Sequence, residues 1–422
     1  MKNRINKIGG LLLITLIYVF SVSIAIIFNV SIEEVVTNYQ FDVLIILITM
    51  ELFTNLVSST GIMEFLSIKI SQKSKGNKKT ILILFGLLMF LISAFLNNIT
   101  AVLMILPIIF VLLKTIEINK EYLNIFFAII LALSNTGGAS SPIGDFPAIV
   151  IMNSGITSFL GYLLRAFPFF LATSFILILW YLLKVKDDKE NTNKKRLAID
   201  ILHSKYKYLR VKKDVLFGLV IIFAFMFLTW SFVPQNILPS EIIAILGYVI
   251  AMLYCSIKKV EINCQVDFKP ILTISSFLFL AGIISSTGIL SNFADYLQNS
   301  INNPKVLLVV IMLITSIVSG SFGAGPAASA MMPIIIELCT TIYQSQSDIV
   351  AIAYAASICA GSSLFMWSAT AGFILSKKIE EAEIKDEKNN KLSWNIKSYF
   401  KYGLQNYLIQ IIIAIIAVYL II

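Results

Sequence analysis

The sequence predicts an all-α polytopic membrane protein. It has about nine transmembrane crossings plus two re-entrant hairpins in an inverted repeat, with the N-terminus cytoplasmic and the C-terminus outside. Three observations predict this. Of 422 residues, 58% are hydrophobic and only 14% charged, with a mean hydropathy of +0.87, well beyond a soluble domain at about half apolar and a quarter charged. The apolar residues fall in runs of spanning length, roughly 20 residues each. Finally, nearly all lysines and arginines fall on one side of a single threading, as cytoplasmic segments require. A soluble enzyme and a disordered chain are both excluded.

The crossings read as 8–28, 41–60, 121–152, 157–183, 215–233, 240–257, 270–290, 348–376 and 402–422. The first run resembles a signal peptide behind Met1 to Lys7. However, it is long enough to span and no small-residue cleavage site follows, so it reads as a transmembrane helix. Stretches 80–113 and 305–337 are about 33 residues each, broken by Ser93–Thr100 and Ser319–Pro326. Limbs of about 15 residues are short for a crossing, so each reads as a re-entrant hairpin. With both as hairpins, segments 1–7, 61–80, 114–121, 184–214, 258–269 and 377–401 are cytoplasmic and hold 31 of the 33 Lys and Arg. The exceptions, Arg165 and Lys305, lie near the outer face. Arg165 and Glu337 are expected near an interface, where long side chains snorkel.

The order helix, helix, hairpin, helix, helix then occurs twice. Residues 1–183 form the first repeat, with hairpin 80–113 and broken helix 121–152. A basic cytoplasmic linker (184–214) and a connecting helix (215–239) follow, and 240–422 form the second repeat, with hairpin 305–337 and broken helix 348–376. Ser93 to Thr100 registers with Ser319 to Pro326, and Gly137-Gly138 with Ala360-Gly361. Inverted repeats with interrupted helices at matching positions mark the binding site of a secondary transporter.

Stretch 134–147 (SNTGGASSPIGDFP) interrupts what should be a crossing, and predicts two half-helices with an unwound link. Non-helical backbone at this depth is tolerated only against protein or a wet cavity. Its carbonyls suit a dehydrated cation and its helix N-termini suit an anion. Ser134, Asn135, Thr136, Ser141 and Asp145 lie in it, and Asn97, Asn98 and Thr100 at the hairpin tip add oxygens. The bland alternatives are close helix packing for the small residues and helix capping for Asp145. An ionisable group at this depth is otherwise a functional candidate. Glu51, mid-span in 41–60, is either a proton site or paired to a polar group.

The net charge of +9 follows from topology and calls for no nucleic acid; lipid headgroups are the expected contact of the linker. Cys255, Cys264, Cys339 and Cys359 show no metal-ligand spacing. The single histidine, His203, cannot build a metal site. No cofactor is expected beyond Na⁺ or H⁺ as coupling ion.

FLNNITAVLMILP followed by ALSNTGGASSPIGDFPAIVI resembles the ion-transporter superfamily. That group includes arsenite permeases, a class of bacterial Na⁺/H⁺ antiporters, citrate transporters and sodium–dicarboxylate symporters. The resemblance covers nearly the whole chain and is stronger in the first repeat. It implies a scaffold plus a transport module, a homodimer formed through the scaffold, and an elevator-like shift. By position it implies tip residues Ser93, Asn97, Asn98 and Thr100, and loop residues Gly137, Gly138, Ser141, Gly144, Asp145 and Pro147.

The chain departs from the pattern in places. Asn97 stands where antiporters carry Asp, Gly323-Ala324 replace the polar tip pair in the second repeat, and Trp367 stands where glycine is usual. Ser319, Ser321, Ser362, Ser363, Ser368 and Thr370 still offer hydroxyls there.

The first functional expectation is a permease for a small anion, such as a carboxylate or oxyanion, coupled to Na⁺ or H⁺. The alternative is a cation/proton antiporter using Asp145 or Glu51. A non-transporting receptor is a minor alternative. No nucleophile–base constellation points to an intramembrane enzyme.

Overall fold

The computed structural model describes residues 2–116, 118–185, 200, 211–260, 268–369, 371–386 and 390–421. Among them are eighteen α-helices. In order they are α1 (Lys2–Ile27), α2 (Ile32–Asn38), α3 (Phe41–Ser58), α4 (Ile62–Ser74), α5 (Lys78–Ser93), α6 (Asn98–Thr115), α7 (Lys120–Ala139), α8 (Phe146–Asn153) and α9 (Phe159–Leu182). Then come α10 (Lys213–Phe232), α11 (Ser240–Ile257), α12 (Phe268–Ser286), α13 (Ile289–Ser300), α14 (Pro304–Phe322), α15 (Ala324–Thr341), α16 (Ser347–Ser362), α17 (Gly372–Ala382) and α18 (Ile396–Ile421). Eight of these are long and apolar enough to cross a membrane, or up to nine if one bent pair counts as a span.

Burial separates an inner from an outer layer. Every residue of α7 from Tyr122 to Ala139 is buried, so protein surrounds this helix on all faces. In α10 only Val215, Leu219, Met226 and Trp230 are buried. Its Phe217, Phe225 and Phe232 are each about 70% exposed, as suits contact with lipid.

The limbs of the two stretches read as hairpins are longer than the sequence suggests, and two of them, α6 and α14, are among the eight helices long enough to cross. They run to 16 and 18 residues in α5 and α6, and to 19 and 18 in α14 and α15. Helix continues to within a residue or two of each break because the breakers are few. Ala94 to Asn97 separate α5 from α6, and Gly323 alone, at φ 101°, separates α14 from α15. The broken crossing is also tighter than its composition suggests. Ser134 to Ala139 stay helical and only Ser140 to Asp145 unwind. The last crossing begins earlier than the apolar run, at Ile396, and 348–376 resolves into α16 and α17 with a non-helical link.

Three short helices (α2, α4 and α13) are not legible as apolar runs. Two of them reveal a correspondence between the halves. Ser58–Ile62 and Ser285–Ile289 have the same sequence, SSTGI. In each, the Thr hydroxyl donates 2.7 Å to the carbonyl three residues earlier, Thr60 to Val57 and Thr287 to Ile284. In each, the glycine (Gly61 at φ 76°, Gly288 at φ 70°) adopts the left-handed conformation open to glycine, turning α3 into α4 and α12 into α13. The element order from α3 to α9 thus recurs from α12 to α18.

Candidate functional site

The first break gathers side chains from three segments. Asn97 caps α6: its Oδ1 accepts from the Ile99 and Thr100 amides at 2.9 and 3.3 Å. Asn98 therefore enters the helix one residue on, with its side chain turned inward and fully buried. Its Nδ2 donates to Asp145 Oδ2 at 2.8 Å, while its Oδ1 is buried with no hydrogen-bond partner. Asp145 occupies the N-cap position of α8 but makes no side-chain cap bond. The capping account of this aspartate is thus replaced by a buried amide–carboxylate pair across the break.

Glycines permit this closeness. A methyl on Gly138 would lie 2.7 Å from Asp145 Cβ and 2.8 Å from both Asn98 side-chain polar atoms. One on Gly144 would lie 2.5 Å from the Gly138 carbonyl oxygen and 2.8 Å from that of Ser93. Ser141 Oγ donates to the Ala94 carbonyl, and Ser93 and Ser134 hydroxyls meet at 3.3 Å. Ser93, Asn98, Ser134, Gly138, Ser141, Gly144 and Asp145 therefore converge. Thr136 faces away, bonded to Ser174 on α9 at 2.7 Å. Thr100 is half-buried, and Pro147 opens α8. Glu51 is half-buried on α3, which packs against both α6 and α8.

The second break has the same backbone contacts and different side chains. A methyl on Gly137 would lie 2.4 Å from the Phe90 carbonyl oxygen and 3.0 Å from Ser93 Cβ. One on Gly361 would lie 2.1 Å from the Ser316 carbonyl oxygen and 2.7 Å from Ser319 Cβ. Gly361 thus takes the place of Gly137, one residue from the register read in the sequence. Eight residues beyond Gly137 stands Asp145, and eight beyond Gly361 stands Ala369. Asn98 corresponds likewise to Ala324, buried and apolar.

The hydroxyls here serve the backbone. Ser319 donates to the Ile358 carbonyl at 2.7 Å, and Ser368 to those of Ser362 and Phe365 at 3.0 and 2.8 Å. Ser321 is exposed and bonds back to Ile317. Trp367 stacks on Phe365 at 4.3 Å between centroids. Thr370 and His203 lie outside the described residues.

The two breaks are joined. Asn135 Nδ2 reaches Ser362 and Ser363 Oγ, both at 3.2 Å. Gln410 on α18 donates to Ser363 Oγ at 3.1 Å, and Asn406 takes a 2.7 Å bond from Tyr181. Sequence reading passed over Asn406 and Gln410. Their signal was two buried amides one turn apart in an apolar span. Arg165, expected near an interface, pairs with Asp348 at 2.5 Å, its side chain about half exposed. Among the described residues no cluster of three or more His, Cys, Asp or Glu could hold a metal ion.

Apolar helices interrupted at buried polar breaks define a multi-pass membrane transporter. The sequence pattern described as "Citrate transporter" matches residues 3–359; the chain belongs to this citrate transporter (CitMHS) family.

Its relatives include a 46 kDa membrane protein of Mycobacterium leprae, 24% identical over 80% of this chain and 78% of that one. The uncharacterized transporter Rv2684 of Mycobacterium tuberculosis is 25% identical over 72% of this chain and 69% of that one. The magnetosome protein MamN of Magnetospirillum gryphiswaldense is 24% identical over 80% and 76%. The crystal structure of the Alcanivorax borkumensis YdaH transporter, described as having an unusual topology, superposes with a TM-score of 0.58. It covers 91% of this chain and 86% of that one at 13% identity, a likeness of fold.

Proposed function

We propose that the chain is a secondary active permease that moves a small anion, a carboxylate or an oxyanion, coupled to Na⁺ or H⁺ at the first break. The carrying observation is the buried Asn98–Asp145 pair with its orphaned Asn98 Oδ1. An unpartnered acceptor beside a carboxylate in a low-dielectric site is costly, and a cation or proton there offsets that cost. The Gly138 and Ser93 carbonyls beside Gly144 add hard oxygen donors of the kind Na⁺ takes.

The recurrence of SSTGI and of the Gly137 and Gly361 approaches supports two related halves. The lysine and arginine distribution supports their opposite orientation, with α5–α6 and α14–α15 re-entrant. In this reading the halves form a transport module that shifts as an elevator against a scaffold through which two copies pair.

A cation/proton antiporter using Asp145 or Glu51 is the second reading, and one observation favours it. Asn97 already occupies the first amides of α6, and α8 opens with Phe146 and Pro147, so few N–H groups remain for an anion. Proteoliposomes carrying a Na⁺ or pH gradient decide between the readings. Gradient-driven uptake of labelled citrate, succinate, sulfate or arsenite supports the permease. Cation–proton exchange with no anion requirement supports the antiporter.

A further inference from the structure

A polar cavity lies apart from both breaks. It occupies about 260 Å³ between the turn joining α2 to α3, helix α12 and helix α15. Asn38, Gln40, Ser285, Ser329 and Glu337 supply its polar lining, and no basic residue borders it among the described residues. Its wall is pinned. The Asn38 amide donates to Ser286 Oγ at 2.8 Å, and a methyl on Gly282 would lie 3.0 Å from the Asn38 carbonyl oxygen.

Gln40 Oε1 is buried there without a hydrogen-bond partner. The Glu337 carboxylate takes no ion pair or hydrogen bond among the described residues. A carboxylate and an orphaned amide oxygen facing a cavity with hydroxyls form an acceptor-rich, base-free donor set, which suits a hard cation. One carboxylate balances one positive charge, whereas divalent sites gather several carboxylates. At about 30 Å³ per water the cavity holds roughly eight, so the ion keeps part of its hydration shell.

We propose that this cavity is a monovalent alkali-cation site, with Glu337 and Gln40 as its principal ligands, separate from the Asn98–Asp145 pair. It stands without the coupling assignment made above.

The test is equilibrium binding of ²²Na⁺ and ⁸⁶Rb⁺ to the purified full-length chain in nanodiscs, for wild type, Asp145→Asn, Glu337→Gln, Gln40→Leu and the Asp145→Asn/Glu337→Gln double variant. The expected result is binding that survives Asp145→Asn, falls in Gln40→Leu by at least the share that survives in Asp145→Asn, and disappears in the double variant. Gln40→Leu keeps the carboxylate and carries the test if Glu337→Gln does not fold. Loss of all binding in Asp145→Asn alone, or binding unchanged in both Glu337→Gln and Gln40→Leu, or no binding of either ion to wild type, overturns the cavity site. Equal binding by wild type and Asp145→Asn, abolished in the double variant, leaves the cavity site standing and removes Na⁺ from the first break.

Discussion

The two breaks share a backbone and differ in chemistry. At each, a glycine on the long broken helix presses against a carbonyl of the hairpin's first limb, Gly137 on Phe90 and Gly361 on Ser316. At the first, the residues placed over that contact are Asn98 and Asp145. At the second they are Ala324 and Ala369, with Trp367 stacked beside them. The contact is therefore architectural, and the polar pair is an addition that only one half carries. Close backbone approach alone does not make a polar site; the side chains laid over it do.

The largest effect expected from breaking this contrast is on coupling. Asp145→Asn and Asn98→Ala should each reduce gradient-driven transport in proteoliposomes to the level of empty vesicles while membrane insertion and monodispersity persist. Next come the shared contacts. Gly361→Ala and Gly137→Ala each force a methyl onto a backbone oxygen and should destabilise the protein by about 1–3 kcal/mol. Gly361 should suffer more, given its closer approach, as read by thermal unfolding in detergent.

Ser368→Ala should cost about 1 kcal/mol of stability, because its hydroxyl serves carbonyls of the second link, and should leave coupling intact. The smallest change is Asn135→Ala. It removes the bridge to Ser362 and Ser363 and should cost about 0.6 kcal/mol, typical of an interhelical hydrogen bond within a membrane.

Much of this contrast was legible in the sequence. Breakers inside apolar runs located all four interruptions, because glycine, proline and asparagine are conspicuous there. The absence of polar residues at Gly323-Ala324 marked the second half as different. What the sequence withheld was pairing. Asp145 at the head of a half-helix reads as a cap or as an ion or proton ligand, and only the turn at Asn97 points Asn98 toward it. Gly137 and Gly138 looked like helix breakers, yet the helix runs through them to Ala139 because their role is to admit the neighbouring limb. The helices α2, α4 and α13 escaped notice because they are short, and hydropathy runs detect only long apolar elements. SSTGI lay in plain view twice, but its meaning depends on a left-handed glycine that a hydropathy reading does not register.

The most direct test of the central claim compares wild type, Asp145→Asn and Ser368→Ala in one assay: anion uptake into proteoliposomes with and without an imposed Na⁺ or pH gradient. Gradient stimulation that is present in wild type and Ser368→Ala and absent in Asp145→Asn is the predicted result. Stimulation that survives Asp145→Asn and fails in Ser368→Ala would place the coupling ion in the second break and contradict the account.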